Sequence, residues 1–594
     1  MQKVIGFDVE THPFSNGNMA PKVICLAVDD GEQVRIFVGN DIETRMRELL
    51  EGQTPLVAHN ASYDTSCLAA TFPNLASAIW EAYDDQKIHC SLLRERLLDI
   101  AGNTLSSRKG HYALDQVAFR QGALLNIDKA SPWRTRFPEL ENVPLAEWPS
   151  DAVEYVKTDA SATKQIWEAQ YKIARQGQYD AFEVESARQA LYDFPLRLMS
   201  VWGVRTDEKA VQELEQHTQE RITELRETLI EHKVLRRVGK KLSKNTKFVR
   251  QLVCEEIEDP PKTPTGLVQT GKDVLEKCEH PALTALIDWD KYNKAQSTYI
   301  DKLWEGVEGN MHADFRVLGA KSGRTSCARP NLQNQARGGG IRECFVPRPG
   351  HVYVLCDYDS QETRTLAQAC QYLLGRSSLA EKYQADPDYD PHTNFASQLI
   401  GISYQEAMAL KAEGDELILE RRQQAKAANF GFPGGLGAET FKSYARGYGV
   451  RLTTEQARDL KDAWLQSIPE MPEYFSLVSE LVKAGGVIEQ CVSGRLRGGC
   501  TYTSAANTYF QGLASEASKT AAWLVSRACY DGTGPLYGSR PVMLIHDELI
   551  LESPEEDAED AAKELQTLML QAMTLWCPDV PARATPQISK RWTK

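Results

Sequence analysis

The stretch VMLIHDELILE, residues 542–552, places three polar side chains between two apolar runs. Each run has the aliphatic character of a buried strand, which predicts a hairpin with His546, Asp547 and Glu548 at its centre. Charged side chains in so apolar a setting need a partner, and a metal ion suits two neighbouring carboxylates. Taken alone, the motif is also typical of an ordinary turn.

Two further motifs precede this hairpin in the chain. The run VYVLC, 352–356, predicts a strand that ends in Asp357 and continues as YDSQETR. In RRQQAKAANFG, 421–431, Arg422, Lys426 and Phe430 recur every four residues and share one helical face. Two cations and a ring on one face can hold a triphosphate and stack on a base. The alternative is an amphipathic helix with a solvated basic edge.

In this order the three motifs resemble the A, B and C motifs of family A DNA polymerases, such as bacterial DNA polymerase I, from about residue 182 to the C-terminus. The resemblance implies that Asp357 and Asp547 ligate two metal ions, Mg²⁺ or Mn²⁺, assisted by the backbone carbonyl of Tyr358. Glu548 would be a supporting carboxylate. The implied reaction is in-line attack of a primer 3′ oxygen on the α-phosphate of a deoxynucleoside triphosphate.

The resemblance also implies a nucleotide site. Arg422 would contact the triphosphate, Lys426 would neutralise or protonate the pyrophosphate leaving group, and Phe430 would stack beside the nucleotide. His392, in DPHT at 390–393, matches a phosphate contact in the fingers. Glu362 matches the residue that excludes the 2′-hydroxyl of a ribonucleotide, so the expected product is DNA.

Several residues match contacts with primer-template DNA in this family. Arg324 and Gln333 correspond to donors to the minor groove, where every base pair presents acceptors. The other matches are Asn507, Gln511 and His546, the last beside the primer end.

A basic run at residues 233–250 contains no acidic residue. It falls at the tip of the segment that forms the thumb in this family, so Lys240 and Lys241 are expected to contact duplex phosphates with salt-dependent affinity. The alternative is a solvated basic face.

The first third of the chain carries a second set of carboxylates. In VIGFDVE, 4–10, Asp8 and Glu10 point the same way from one predicted strand. Asp64 follows Asn60 by four residues, and Asp159 follows Tyr155 by four. Together these pairs resemble the three motifs of 3′-5′ proofreading exonucleases, over roughly residues 1–175. The resemblance implies that the four carboxylates hold two metal ions and that Tyr155 orients the attacking water.

The expected fold is therefore mixed α/β. An RNase H-like 3′-5′ exonuclease domain, 1–178, precedes a right-hand polymerase domain, 179–594, with the thumb at about 205–310, the fingers at about 379–500 and the palm in the remaining segments. Because Asp8 lies so near the N-terminus, no 5′-nuclease domain is expected before it. This compact layout resembles bacteriophage replicative enzymes.

Two positions depart from the family pattern. Gly434 stands where a tyrosine is usual, and Pro433 disfavours helical geometry at the residue before it. We therefore expect the helix to end about one turn early, with a flexible glycine-rich exit. Asp359 stands where serine is usual; it is expected to be solvated, the alternative being an additional charge near the metal ions.

Bulk properties set the remaining expectations. The chain has 68 basic and 82 acidic residues, a net charge of −14, so any nucleic-acid surface has to be local. Its 13 cysteines are scattered, which predicts reduced, mostly buried thiols. With no signal peptide or apolar span, we expect a cytoplasmic monomer, in the host cytoplasm if the source is a bacteriophage, with no membrane partner.

Three other functions are less consistent with these motifs. A single-subunit RNA polymerase shares the metal motifs but is disfavoured by Glu362 and by a proofreading domain. A nuclease whose second half merely binds DNA would not need Asp357 and Asp547. A purely structural DNA-binding protein would explain none of the carboxylate motifs.

Overall fold

The computed structural model describes residues 3–123, 127, 131–238 and 241–593. The chain forms two compact units. The first contains Met1–Trp202, His312–Gln333 and Gly350–Ile588, and the second contains Gly203–Met311, Asn334–Pro349 and Ser589–Lys594. Among the described residues, every helix is too short or too polar to cross a lipid bilayer.

The N-terminal part of the first unit is built on a five-stranded mixed sheet. Its elements are β1 Ile5–Thr11, β2 Val23–Asp29, β3 Val34–Val38, α1 Asn40–Glu51, β4 Leu56–Ala58, α2 Ala61–Thr71, α3 Ala76–Asp84, β5 Ile88–Cys90, α4 Ser91–Ala101, α5 Leu114–Gln121, α6 Trp133–Arg136, α7 Ser150–Gln176 and α8 Phe182–Trp202. The strand order is β3-β2-β1-β4-β5. The β1–β2 and β2–β3 pairs are antiparallel, whereas β1–β4 and β4–β5 are parallel.

Helix α7 crosses β1 at very short range. A Cβ atom on Gly6 would lie 2.7 Å from the Ala160 carbonyl oxygen and 2.9 Å from Lys164 Cβ. Only glycine allows this approach, because any larger residue would push the helix away from the strand. Gly6 therefore sets the distance between the side chains of β1 and those of α7.

The second unit contains most of the segment predicted as the thumb. Its elements in this region are β6 Arg205–Thr206, α9 Glu208–Glu231, β7 Leu235–Val238, β8 Lys241–Lys244, α10 Thr246–Glu256, α11 Lys272–Leu275, α12 Pro281–Ala295 and α13 Asp301–Glu308. Strands β7 and β8 form an antiparallel hairpin, with Arg236 opposite Ser243. The hairpin stands beside a buried core that includes Leu229, Val253 and Leu283.

The rest of the chain includes a four-stranded sheet of order β15-β16-β12-β17. The elements are β9 Asp314–Arg316, β10 Ser326–Ala328, β11 Phe345–Val346 (in the second unit), β12 His351–Tyr358, α14 Gln361–Leu374, α15 Ser378–Ala385, α16 Pro391–Ile400, α17 Tyr404–Glu413, α18 Glu416–Gly431, α19 Ala438–Arg446, α20 Thr454–Ser467, α21 Met471–Lys483, β13 Ile488–Glu489, β14 Leu496–Arg497, α22 Tyr502–Asp531, β15 Arg540–Ile545, β16 Glu548–Pro554, α23 Ala558–Trp576 and β17 Ala584–Ser589. Strands β15 and β16 are the hairpin predicted from residues 542–552, and β12 is the strand predicted to carry Asp357.

Helix α18 ends before Pro433, in the region where the sequence predicted its end, and the exit that follows is closely packed. The α-helix ends at Gly431 and a 3₁₀ turn covers Phe432–Gly434, all three residues of which are buried. A Cβ on Gly434 would lie 2.5 Å from Asn507 Nδ2, and one on Gly435 would lie 2.4 Å from the ring of Tyr502. Neighbouring side chains therefore occupy the space that the glycines leave, and the predicted flexibility of this exit stays a prediction.

The cysteines confirm the expectation of buried thiols. All 13 lie in the described residues as free cysteines, and each except Cys254 is buried. The mixed α/β fold class is likewise confirmed by the five-stranded and four-stranded sheets and by the helices between their strands.

Candidate functional site

Strand β1 and helix α7 bring one group of carboxylates together. Alternation along β1 places Asp8 and Glu10 on one face, and α7 crosses that face with Asp159. Carboxylate oxygens of Asp8, Glu10 and Asp159 lie within 4.8 Å of one another. Three acidic oxygens at this distance, all hard donors, suit a divalent cation such as Mg²⁺ or Mn²⁺.

The electrostatics of this group favour a cation. Burial raises the pKa of Asp8 well above its usual value, and the charges of Glu10, Asp64 and Asp159 raise it further. The pKa of Glu10 is raised by burial, then by Asp159 and Asp64, and is lowered by Arg134. Negative charges this close repel one another, so a bound cation would stabilise their ionised forms.

Asp64 stands outside that group of three but belongs to the same neighbourhood. It lies in the first turn of α2, 3% exposed, and its Oδ1 accepts a hydrogen bond from Val9 N at 3.3 Å. Burial raises its pKa to about 8 in spite of that bond. Its buried Oδ2 has no hydrogen-bond partner among the described residues, which marks it as a free oxygen donor beside β1.

Tyr155 is fixed by an aromatic cluster that sequence reasoning did not find. Its ring lies 5.9 Å from that of Phe137, and Trp133 and Trp148 belong to the same core. Burial, and then the charge of Asp159, raise the pKa of Tyr155, so its hydroxyl keeps its proton at neutral pH. Trp133, Phe137 and Trp148 belong to none of the sequence motifs, yet they pack against the helix that carries Tyr155 and Asp159.

The second carboxylate group is built by the four-stranded sheet. Asp357 stands opposite Glu548 in the β12–β16 register, and Asp547 lies in the turn between β15 and β16. Tyr358 N donates a hydrogen bond to the Asp547 carbonyl oxygen at 3.2 Å, which joins the strand end to the turn. Asp357 and Asp547 are half-buried, and Glu548 is buried.

This second group is more open than the first. Within the part of the chain that the structure describes, Asp357, Asp547 and Glu548 do not share the 4.8 Å range that unites Asp8, Glu10 and Asp159. The donors are again carboxylate oxygens, which fit Mg²⁺ or Mn²⁺. Asp359 is not simply solvated, since it pairs with Arg583 at 3.4 Å and accepts a hydrogen bond from Thr585 at 2.9 Å.

Helix α18 presents the predicted cationic stripe. Arg422, Lys426 and Phe430 are all half-buried, as expected for residues on one face. Asp390, the N-cap of α16, accepts bonds from Arg422 Nε at 3.1 Å and from Lys411 Nζ at 2.9 Å. Burial alone would raise the pKa of Asp390, but the Lys411 bond and the Arg422 charge bring it below its usual value. Asp390 and Lys411 are contacts that the motif comparison missed.

His392 lies under the same stripe. Its ring centroid is 5.3 Å from that of Phe430, and its Nδ1 is 3.0 Å from Asn429 Nδ2. Burial lowers its pKa to about 4, with Asp390 acting in the opposite direction, so the imidazole is neutral at pH 7. Its predicted phosphate contact stays a prediction.

Arg324 and Glu362, which were predicted to play separate roles, form an ion pair with each other. Gln333 is buried, and its Nε2 donates to Thr325 Oγ1 and to the Leu544 carbonyl oxygen, each at 2.9 Å. An amide nitrogen has two hydrogens, so both donors of Gln333 are already used. Its predicted donation to the minor groove would have to replace one of these bonds.

The remaining predicted DNA contacts are placed as follows. Asn507 and Gln511 occupy successive turns of α22 and are joined by a 3.1 Å hydrogen bond. His546 is exposed at the β15–β16 turn, with φ 58°. Lys241 begins β8, whereas Lys240 lies outside the described residues.

Comparisons with protein families and with individual proteins both match DNA polymerases. The family model for DNA polymerase family A matches residues 208–594. DNA polymerase I of Aquifex aeolicus (strain VF5) is 29% identical over 339 residues, which cover 56% of this chain and 55% of the relative. DNA polymerase I of Chloroflexus aurantiacus is 26% identical over 589 residues, 93% of this chain and 56% of the relative. The chain thus spans about half the length of these relatives.

A solved structure extends the likeness of fold over the whole chain. It is described as the POL domain of Pol1 from M. smegmatis in complex with DNA primer-template and dNTP. The TM-score is 0.73 at 21% identity, and the match covers 100% of this chain and 96% of that one.

Proposed function

This chain belongs to DNA polymerase family A, and we propose that it is a DNA-directed DNA polymerase that extends a primer along a template. The observation that supports the proposal is the bond from Tyr358 N, next to Asp357 at the end of β12, to the Asp547 carbonyl oxygen in the β15–β16 turn. Helix α18 supplies the cations Arg422 and Lys426 that a triphosphate requires. A protein that merely bound DNA would need neither feature.

Each active-site residue then has a distinct task. Asp357 and Asp547, with the Tyr358 carbonyl, would hold Mg²⁺ or Mn²⁺, and Glu548 would support them. Two such ions supply Lewis-acid stabilisation of the attacking and leaving oxygens in phosphoryl transfer. Lys426 neutralises the negative charge of the departing pyrophosphate or protonates it. Arg422 holds the triphosphate in line with the primer 3′ oxygen.

The walls of the nucleotide site determine which nucleotide enters. Phe430 offers a ring for stacking, and its contact with His392 fixes that ring at the end of the cationic stripe. Glu362 presents a carboxylate that a 2′-hydroxyl would crowd, and its pairing with Arg324 holds it in place. We infer that deoxynucleoside triphosphates are the substrates and that DNA is the product.

We propose further that residues 1–178 are an RNase H-like 3′-5′ exonuclease domain. The support is the gathering of Asp8, Glu10 and Asp159 within 4.8 Å, with the buried Asp64 oxygen beside them. These four carboxylates would hold the same class of cation. Tyr155, whose hydroxyl keeps its proton, would orient the water that attacks the terminal phosphodiester.

The partners follow from these activities. Primer-template DNA would contact Arg324, Gln333, Asn507, Gln511 and His546, and its duplex would meet the basic β7–β8 hairpin. Residues 179–594 would form the polymerase domain, with the thumb at about 205–310 and the fingers at about 379–500.

A labelled primer annealed to a longer template, incubated with Mg²⁺ with and without deoxynucleotides, tests both activities. Extension with nucleotides and a shortening ladder without them are the expected results. Asp357→Ala should abolish extension and leave shortening, whereas Asp8→Ala should do the reverse. Retained extension in Asp357→Ala, or retained shortening in Asp8→Ala, would refute the corresponding assignment.

A further inference from the structure

A buried cluster of charged side chains lies in the first unit, away from the proposed catalytic carboxylates. Glu185 of α8, Arg495 before β14, and Glu516 and Lys519 of α22 are each at most 2% exposed. Arg495 Nη1 lies 2.9 Å from Glu185 Oε1 and also pairs with Glu516. Lys519 Nζ lies 2.7 Å from Glu516 Oε1. The four residues carry two positive and two negative charges.

Such a cluster is a costly way to fill a protein interior. Removing charges from water carries a large penalty, and apolar residues of similar size often give equal or greater stability. Buried ionic groups are best explained where their directional bonds fix a particular geometry. Arg495 and Lys519 also have N–H groups that do not bond Glu185 or Glu516. The acceptors of these N–H groups indicate which part of the chain the cluster positions.

Those donors converge on one backbone turn. Arg495 Nη2 donates to the Ser322 carbonyl oxygen at 3.1 Å, and Lys519 Nζ donates to the Gly323 carbonyl oxygen at 3.3 Å. Ser515 Oγ donates to the Gly323 oxygen at 2.8 Å. The carbonyl oxygens of Ser322 and Gly323 thus both accept hydrogen bonds from buried donors.

Gly323 is needed for this approach. Its φ is +89°, and a Cβ there would lie 1.9 Å from Arg495 Nη2. The turn is closed by bonds from Gly323 N to the Ala320 oxygen at 2.9 Å and from Ala320 N to the Arg324 oxygen at 3.1 Å. The next side chain along the chain is Arg324, which reaches Glu362.

We propose that Arg495 is a positioning residue for Arg324, acting through the Ser322–Gly323 turn, and so governs how the polymerase site holds the primer terminus and the nucleotide sugar. The inference rests on the proposed polymerase function. Arg495 itself is 2% exposed, and its side chain contacts Glu185, Glu516 and the Ser322 carbonyl oxygen rather than Arg324 or Glu362.

A double-mutant cycle tests the coupling. The full-length chain is compared with Arg495→Met, Arg324→Ala and the double variant, and kcat/KM for the next correct deoxynucleotide is measured by primer extension. If Arg495 acts through Arg324, Arg495→Met lowers kcat/KM about tenfold in the wild-type background and has little further effect once Arg324 is removed. A merely structural role would lower activity by the same factor in both backgrounds.

Arg188→Gln is the matched control. Arg188 borders the cluster: it pairs with Glu185 at 2.6 Å, lies over the Trp576 ring and donates to the Ser493 carbonyl oxygen at 3.4 Å. Its loss removes a cation beside Glu185 but leaves in place the bonds that Arg495, Lys519 and Ser515 make to the turn. It should leave kcat/KM near the wild-type value in both backgrounds. If Arg188→Gln lowers kcat/KM as much as Arg495→Met does, then any change of charge in this cluster is enough to lower activity. That result would overturn the positioning role of Arg495.

Primer shortening without nucleotides and the thermal unfolding midpoint report whether each variant folds. Should Arg495→Met unfold, Ser515→Ala, which loses a single bond to the turn, replaces it in the same cycle with the same expected non-additivity. Additive losses, or an Arg324→Ala variant that extends primers like wild type, would overturn the proposal. A wild-type chain that extends no primer would instead refute the proposed polymerase function.

Discussion

His392 is 5% exposed beneath α18, and burial lowers the pKa of its imidazole to about 4. Since a lowered pKa favours the neutral ring, it takes up a proton only in acid well below neutrality. The ratio of the nucleotide KM of His392→Gln to that of the wild type should therefore vary by less than about threefold between about pH 6 and pH 8. Steady-state primer extension across that range checks this, and Arg422→Ala, which removes a permanent charge, serves as the positive control. A KM that falls in acid for wild type but not for His392→Gln would show a charged imidazole contact.

Glu362 is the residue on which sugar selection is expected to depend. Glu362→Ala removes the carboxylate that would crowd a 2′-hydroxyl, and it leaves Arg324 without its partner. We expect the kcat/KM for ribonucleotides to rise about tenfold or more relative to that for deoxynucleotides. Single-nucleotide incorporation with matched dNTP and rNTP measures the ratio. Equal discrimination by mutant and wild type would mean that Glu362 is not the gate.

At the scale of secondary-structure elements, the crossing of α7 over β1 sets the geometry of the proposed exonuclease site. Gly6→Ala would place a methyl group 2.7 Å from the Ala160 oxygen, so α7 has to move away together with Tyr155 and Asp159. A displacement of about 1 Å can cost about 10²-fold in rate. Primer shortening should fall accordingly while extension is retained. Normal shortening by Gly6→Ala would show that the site tolerates the movement.

The exit of α18 allows a second test at this scale. Gly434→Ala would place a methyl group 2.5 Å from Asn507 Nδ2, which has to turn away from its position. We expect weaker primer-template binding, by roughly 1 kcal/mol, with the fold intact, since a side-chain end yields more easily than backbone. Gly437→Ala is the control, because nothing lies within 4 Å of its Cβ position. Equal binding by the two variants would exclude a role for the Gly434–Asn507 contact.

For the molecule as a whole, a net charge of −14 means that affinity for DNA depends on local cations. Arg236 and Arg237 are exposed on β7 in the basic hairpin. Changing both to Gln should weaken duplex binding and reduce the slope of log K against log salt by about 0.9 for each lost phosphate contact. Binding titrations at several salt concentrations measure this slope. Lys272→Gln with Lys277→Gln makes the same charge change outside the hairpin, and an equal effect of both pairs would indicate a general charge effect instead.

Local pattern was sufficient to predict much of this protein. Alternation along a strand placed Asp8 and Glu10 on one face of β1. Helical spacing placed Arg422, Lys426 and Phe430 on one face of α18. The β15–β16 hairpin followed from two apolar runs around a polar centre. These features are properties of a few consecutive residues, whose backbone periodicity fixes the direction of each side chain regardless of the rest of the chain.

Tertiary structure alone decided which of these side chains meet. Asp64 and Asp159 come to Asp8 because α2 and α7 pack on β1, and Arg324 comes to Glu362 because a buried cluster holds its turn. The packed exit at Gly434 was missed for the same reason, since the side chain that fills it, Asn507, is 73 residues away in sequence. Contacts between such distant residues depend on how whole elements pack, and no periodicity within a segment encodes that packing.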